Sequence, residues 1–166
     1  MKGKKISEST VLMAQLMTPE DANPAGNVHG GVIMKLIDNA GGTAAARHSR
    51  SNVVTASIDR LHFHHPVYIG NLITLKASLN MVGRTSMEVG VRVEAENLLT
   101  GEVRHTASAY LTYVALDSKS RPVRVPPLII ESSEQARRSE EAKARREVRQ
   151  LEQEQEAAHQ KIENQS

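Results

Sequence analysis

The sequence predicts an α+β fold, with an antiparallel sheet of about five strands packed against one long helix and a charged helical tail. Three observations support this. Between residues 52 and 116 lie four strand-like segments in series with no helical pattern between them, and such strands pair antiparallel. Within the first 128 residues, only the stretch from about Gly31 to His48 has the apolar spacing of a long helix. All six prolines and all ten glycines precede residue 128, whereas the last 36 residues hold 16 charges. That shift divides the chain into a body, 1–128, and a tail, 129–166.

Ser9 to Met17 reads as a short strand. Thr18-Pro19-Glu20-Asp21-Ala22-Asn23-Pro24-Ala25-Gly26-Asn27 is dense in turn formers and reads as a loop. In the helix, Val32, Ile33, Leu36, Ile37, Ala40 and Ala44 fall on one side at about 100° per residue and form a sheet-facing stripe. Asp38 falls nearly opposite, beside Met34, Gly41 and Ala45. A helix back this small invites close approach by a second subunit or a ligand. Val53 to Phe63, Leu72 to Met81, Ser86 to Glu96 and Glu102 to Leu116 read as strands; Met87, Val89, Val91 and Val93, for example, alternate with Glu88, Gly90, Arg92 and Glu94. Val82-Gly83-Arg84 and Asn97-Leu98-Leu99-Thr100-Gly101 read as hairpin turns. Pro122, Pro126 and Pro127 close the body, since proline cannot donate to a ladder. Beyond them Ser133 and Glu134 open a helix with Glu134–Arg138 and Glu141–Arg145 pairs at i, i+4. Its thin stripe of Ala144, Val148, Leu151, Ala158 and Ile162 reads as a solvated appendage, with packing on a partner subunit as the alternative.

At 166 residues the chain has the length of one domain with a substantial core. Cysteine is absent, which excludes disulfides, thiolate metal sites and thiol nucleophiles and is compatible with a cytoplasmic location. No export signal or apolar stretch of about 18 residues is present, so a soluble chain without membrane contact is expected. The net charge of +2 divides into +4 over residues 1–130 and −2 over 131–166. A mildly basic body suits an anionic small ligand. Scattered cations and only one Phe, three Tyr and no Trp argue against nucleic acid.

Several residues have the chemistry of a site. Asp38 is the only acid between Val28 and Ala46, and a carboxylate among small and apolar residues is costly unless it is paired or functional. His29-Gly30-Gly31 precedes the helix, where unpaired backbone N–H groups can hold an oxyanion; simple turn chemistry is the other reading. Asn23 can orient a water or a carbonyl, or form an Asx turn before Pro24. Gly83-Arg84-Thr85-Ser86 sets a cation and two hydroxyls at a turn, suited to phosphate or to a plain polar hairpin. His29, His62, His64 and His65 lack a completing ligand at a usual spacing, so no metal is expected. No nucleophile elbow, GxGxxG or Walker pattern occurs.

In order and spacing, Pro19-Glu20-Asp21-Ala22-Asn23, Gly26-Asn27-Val28-His29-Gly30-Gly31 and Met34-Lys35-Leu36-Ile37-Asp38 resemble the acyl-CoA thioester hydrolases of the cytosolic, brain-type family. So do Asn52-Val53-Val54-Thr55-Ala56-Ser57, His62-Phe63, Gly83 to Val89 and Ala107 to Val114. The resemblance covers about residues 9 to 128. It implies a hotdog fold, in which the sheet wraps the long helix, and active sites between two such units, commonly in trimers of dimers. It also implies that Asn23 and Asp38 form a catalytic pair, supplied to one site by different subunits or repeats. Asp38 would then act as general base or, alternatively, as nucleophile, with oxyanion or substrate contacts from His29, Gly30 and Gly31. Arg84, Thr85 and Ser86 would meet the coenzyme A part of the substrate, and no separate cofactor is expected. The alternatives are a hotdog dehydratase using His29, and a non-catalytic acyl-CoA sensing module.

Overall fold

The computed structural model describes residues 1–163, with side chains as far as residue 160. The chain runs β1 (Lys4–Lys5), β2 (Val11–Leu16), α1 (Gly30–Ser49), β3 (Asn52–Phe63), β4 (Asn71–Val82), β5 (Ser86–Asn97), β6 (Val103–Leu116), β7 (Leu128–Ile129) and α2 (Ser133–Glu163). Short 3-10 turns lie at Ile6–Glu8 and Pro19–Asp21, the second inside the expected loop. Strands β2 to β6 form one antiparallel sheet in the order β2-β4-β5-β6-β3. The expected strands are present to within two residues at each end, and the two expected hairpin turns join β4 to β5 and β5 to β6. The pair β1–β7, too short to show a period in sequence, forms a parallel two-stranded ladder that ties the N-terminal segment to the chain just ahead of α2.

Period-two alternation gives the sheet two faces. One packs against α1: Ile33, Leu36, Ile37, Ala40 and Ala44 meet Ile73, Leu75 and Leu79 of β4, Met87, Val89, Val91 and Val93 of β5, and Leu111 and Tyr113 of β6. Burying each of the larger side chains contributes about 1.5–3 kcal/mol. The expected open back of the helix is corrected here. Gly41 and Ala45 are buried, and the close approach comes from Tyr113 of the same chain. A Cβ at Gly41 would lie 2.5 Å from the Tyr113 hydroxyl, so only glycine leaves room for that phenol. Helix α1 closes on Arg50, whose left-handed φ of 54° lets its N–H reach the Ala46 carbonyl at 2.8 Å.

The tail departs furthest from expectation. Its first half lies on the other face of its own sheet, so along that half it is neither a solvated appendage nor free for a partner. Ser139 and Ala142 are buried and Gln135, Arg145, Arg146 and Arg149 half-buried, whereas Ala144, Val148, Leu151 and Ala158 of the expected stripe are exposed; the Ile162 side chain lies outside the described residues. The helix turns its polar side inward because the sheet surface beneath it is polar. Glu88, its side chain 0% exposed, receives Arg145 Nη2 at 2.6 Å and Asn80 Nδ2 at 3.1 Å. Arg145 also stacks 3.7 Å over the Tyr110 ring, and Arg149 pairs with Asp59 of β3. Arg145 thus pairs with Glu88 instead of Glu141, which takes Arg137 at 2.5 Å, while the expected Glu134–Arg138 pair forms.

Candidate active site

Antiparallel pairing sets Thr55 of β3 directly opposite Tyr113 of β6, on the face beneath α1. Asp38, half-buried on the helix above, receives both hydroxyls. Thr55 Oγ1 donates to Asp38 Oδ1 at 2.6 Å, a length typical of a charge-assisted bond. The single Tyr113 proton is shared between Oδ1 and the Asp38 backbone carbonyl, each 3.1 Å away. Tyr113 is 1% exposed, and burial first, then the Asp38 charge, pushes its phenol far above the ordinary tyrosine range. It therefore stays a donor. Asp38 Oδ2 accepts from no group among the described residues, so one carboxylate oxygen is anchored and the other is open.

The loop fixes Asn23 in a definite sense. Its Oδ1 accepts from the N–H groups of Ala25 at 3.0 Å and Asn27 at 3.1 Å, the expected Asx geometry. Two backbone donors settle which end of the amide is oxygen. Its NH2 donates to nothing among the described residues, so Asn23 offers a ligand a donor and no acceptor. At the helix start His29 Nδ1 accepts the Gly31 N–H at 3.0 Å, and the His29 carbonyl takes Val32 N–H at 2.9 Å. The Gly31 donor is thereby occupied in this structure, which leaves Gly30 N–H as the orphan donor among the described residues. Phe63, at the end of β3, lies beside it, 3.8 Å from where a Gly30 Cβ would stand.

Gly30 and Asp38 do not meet within one chain. They are eight residues apart on α1, about 12 Å along the axis, whereas a base and an oxyanion donor must each reach one carbonyl within about 3 Å. Between them the rim is apolar: Met34, Ile58 and Phe63 are 42%, 42% and 48% exposed. Ile37, one of the sheet-facing stripe, belongs to the core at 1%. The Arg84-Thr85-Ser86 turn lies at the Asp38 end of the sheet, since Ser86 and Met87 pair with Val114 and Tyr113. Arg84 is exposed and pairs with no carboxylate among the described residues. Thr85 and Ser86 are half-buried and lend carbonyls to Ala115 and Gly83.

Thr55 and Tyr113 were missed as site residues by sequence reasoning. Both fall in segments that carry the resemblance, yet only the strand register shows that they share a row beneath Asp38. His62, His64 and His105 form a row with ring centroids 6.3 and 4.9 Å apart. Among the described residues no group of three His, Cys, Asp or Glu could hold a metal ion, and no helix is long and apolar enough to cross a membrane. A cleft of about 490 Å³ lies between α2 and the sheet, on the face away from Asp38. Its cations are matched, Lys76 and Arg92 to Glu94, Arg137 to Glu141, Arg138 to Glu134 and Arg145 to Glu88.

Comparison with known proteins agrees with this architecture. Residues 25–102 match the thioesterase superfamily. The cytosolic acyl coenzyme A thioester hydrolase of Rattus norvegicus is 38% identical over 142 residues, 84% of this chain; the chain spans only 37% of that relative's length. A solved apo-hexameric acyl-CoA thioesterase is 37% identical with a TM-score of 0.88, covering 92% of this chain and 97% of that one. An acyl-CoA hydrolase from Staphylococcus aureus, solved with butyryl coenzyme A, coenzyme A and coenzyme A disulfide, is 30% identical with a TM-score of 0.84, covering 94% and 97%. Structures of that hydrolase also exist with an Asp, an Asn or a Thr replaced by Ala. The shared hotdog architecture and these identities place the chain in the thioesterase superfamily, with relatives named as acyl-CoA thioester hydrolases.

Proposed function

We propose that the chain hydrolyses acyl-CoA thioesters to a free carboxylic acid and coenzyme A, at a site completed by a second copy of itself. The observation that carries this reading is the half-buried Asp38 carboxylate, one oxygen held by Thr55 and Tyr113 and the other open. Oδ2 takes a proton from water as the water oxygen attacks the thioester carbon, and the C–S bond then breaks as Oδ2 returns that proton to the leaving sulfur, which releases the thiol and restores the carboxylate. Direct attack by Asp38, giving an anhydride that water opens, is the less favoured route. The tetrahedral oxyanion needs donors, and the Gly30 N–H and the Asn23 NH2 are of that kind. Since Gly30 sits about 12 Å from Asp38 on its own helix, we assign these donors to the neighbouring copy. Arg84, Thr85 and Ser86 would hold the phosphates or the pantetheine arm.

Three further facts support the reading. The Staphylococcus aureus variants replace an Asn and an Asp fifteen residues apart and a Thr seventeen beyond the Asp, the spacings of Asn23, Asp38 and Thr55 here. The apo-thioesterase that the chain resembles is a hexamer. Strand β3, twelve residues long, is an open sheet edge with Val54, Ile58 and Phe63 half-exposed along it, suited to a dimer contact. A trimer of such dimers would give the hexamer.

Steady-state hydrolysis of acyl-CoAs from acetyl to palmitoyl tests the proposal, with free thiol read by a disulfide reagent against a chain that has no cysteine of its own. Turnover is expected to fall about a thousandfold in Asp38→Ala with the fold intact. Binding of coenzyme A without turnover at any chain length would replace the hydrolase with an acyl-CoA sensing module.

A further inference from the structure

We infer that Tyr113 is a positioning residue for hydrolysis: its buried hydroxyl, admitted by Gly41, turns Asp38 so that Oδ2 alone faces the reacting water. The inference rests on the reading of Asp38 as the base. Tyr113 is 1% exposed, and its hydroxyl donates toward Asp38 alone among the described residues, to Oδ1 and to the backbone carbonyl, both at 3.1 Å. One hydroxyl that grips both the carboxylate and the main chain of the same residue restrains the side-chain torsions, because rotation would lengthen one bond or the other. Thr55 approaches the same Oδ1 from the neighbouring strand, so the two donors define a plane and leave Oδ2 as the basic oxygen. A buried phenol is costly without a partner, and a phenylalanine would fill the same space without that cost. Gly41 is the counterpart: a Cβ there would lie 2.5 Å from the Tyr113 oxygen but 3.1–3.2 Å from the ring carbons, so the clash is chiefly with the hydroxyl.

Tyr113 touches Asp38 and not the substrate, so its effect should appear in kcat and in the pH profile while KM stays put. Tyr113→Phe is expected to lower kcat about 10–100-fold, the usual weight of a hydrogen bond to a charged group. It should also move the acid limb of kcat/KM upward, because a carboxylate that loses a donor is protonated more readily. A merely structural role would lower thermal stability without moving that limb. Gly41→Ala should show the same kinetic defect by displacing the hydroxyl. Gly41→Ala combined with Tyr113→Phe, which relieves the closest contact, should match Tyr113→Phe alone, whereas independent effects would add. An unmoved acid limb and a kcat within twofold of wild type in Tyr113→Phe would overturn the inference. Asp38→Ala measured alongside separates the two failures: full turnover in that variant overturns the base reading and this inference together, while its loss beside an unaltered Tyr113→Phe overturns the inference alone.

Discussion

Asp38 gets its geometry from residues 17 and 75 positions away in sequence, Thr55 and Tyr113, brought together by one row of the β3–β6 ladder. The candidate site was legible in the sequence only where chemistry shows without partners: a lone acid on a helix of small residues, an Asn in a turn, glycines before a helix. The two hydroxyls were illegible because Ser, Thr and Tyr in strands are common and only register decides which of them meet. A second buried group has a different consequence. His48 is fully buried, its Nε2 lies 2.8 Å from the Pro126 carbonyl and so carries the proton, and its Nδ1 has no partner among the described residues. Burial holds this imidazole below the ordinary histidine range, against the pull of the Pro126 carbonyl. The unfolded chain then binds more protons than the native one as pH falls below about 6.5, so stability declines from there downward. His105, also depressed chiefly by desolvation, adds to the same window. Urea midpoints measured from pH 7.5 to 5 should fall, and His48→Gln should flatten that slope; an equal slope in the variant would assign the effect elsewhere.

At the scale of elements, the tail helix shows how pattern reading inverts when the surface below is polar. The stripe of Ala144, Val148, Leu151 and Ala158 is what periodicity detects, yet α2 seats on Ser139, Ala142, Arg145 and Arg149. The missing signal lay in the other partner: Glu88 and Asn80 of the sheet are buried polar residues that call for matching groups. Strands β3 to β6 and α1, by contrast, were legible almost to the residue, because most of their apolar side chains recur at the period of one core-facing side. Removing the guanidinium in Arg145→Ala leaves Glu88 buried and unpaired, and unfolding in urea should register a loss of about 3–5 kcal/mol. Glu88→Leu with Arg145→Met should recover most of it. A loss in Arg145→Ala below about 1 kcal/mol would mean that the carboxylate finds water instead.

For the whole molecule, the open β3 edge and the separation of Gly30 from Asp38 both fit the second copy that we propose. Ile58→Asp places a charge among the half-exposed apolar groups of that edge without disturbing the buried core. Sedimentation should report a smaller particle, and thioester turnover should fall with it. An unchanged mass with full turnover would mean that assembly does not use this edge. The order of the sheet also has a bearing on how the chain acquires its structure. Strand β3 is made early but pairs with β6, whose partners run from Leu116 opposite Asn52 to Ala107 opposite Phe63, so it must wait for three later strands. Non-local pairing of this kind slows folding, and an unpaired strand rich in β-branched residues invites neighbouring chains. The edge that we assign to assembly is therefore also the segment most exposed to misassociation while the polypeptide is being synthesised.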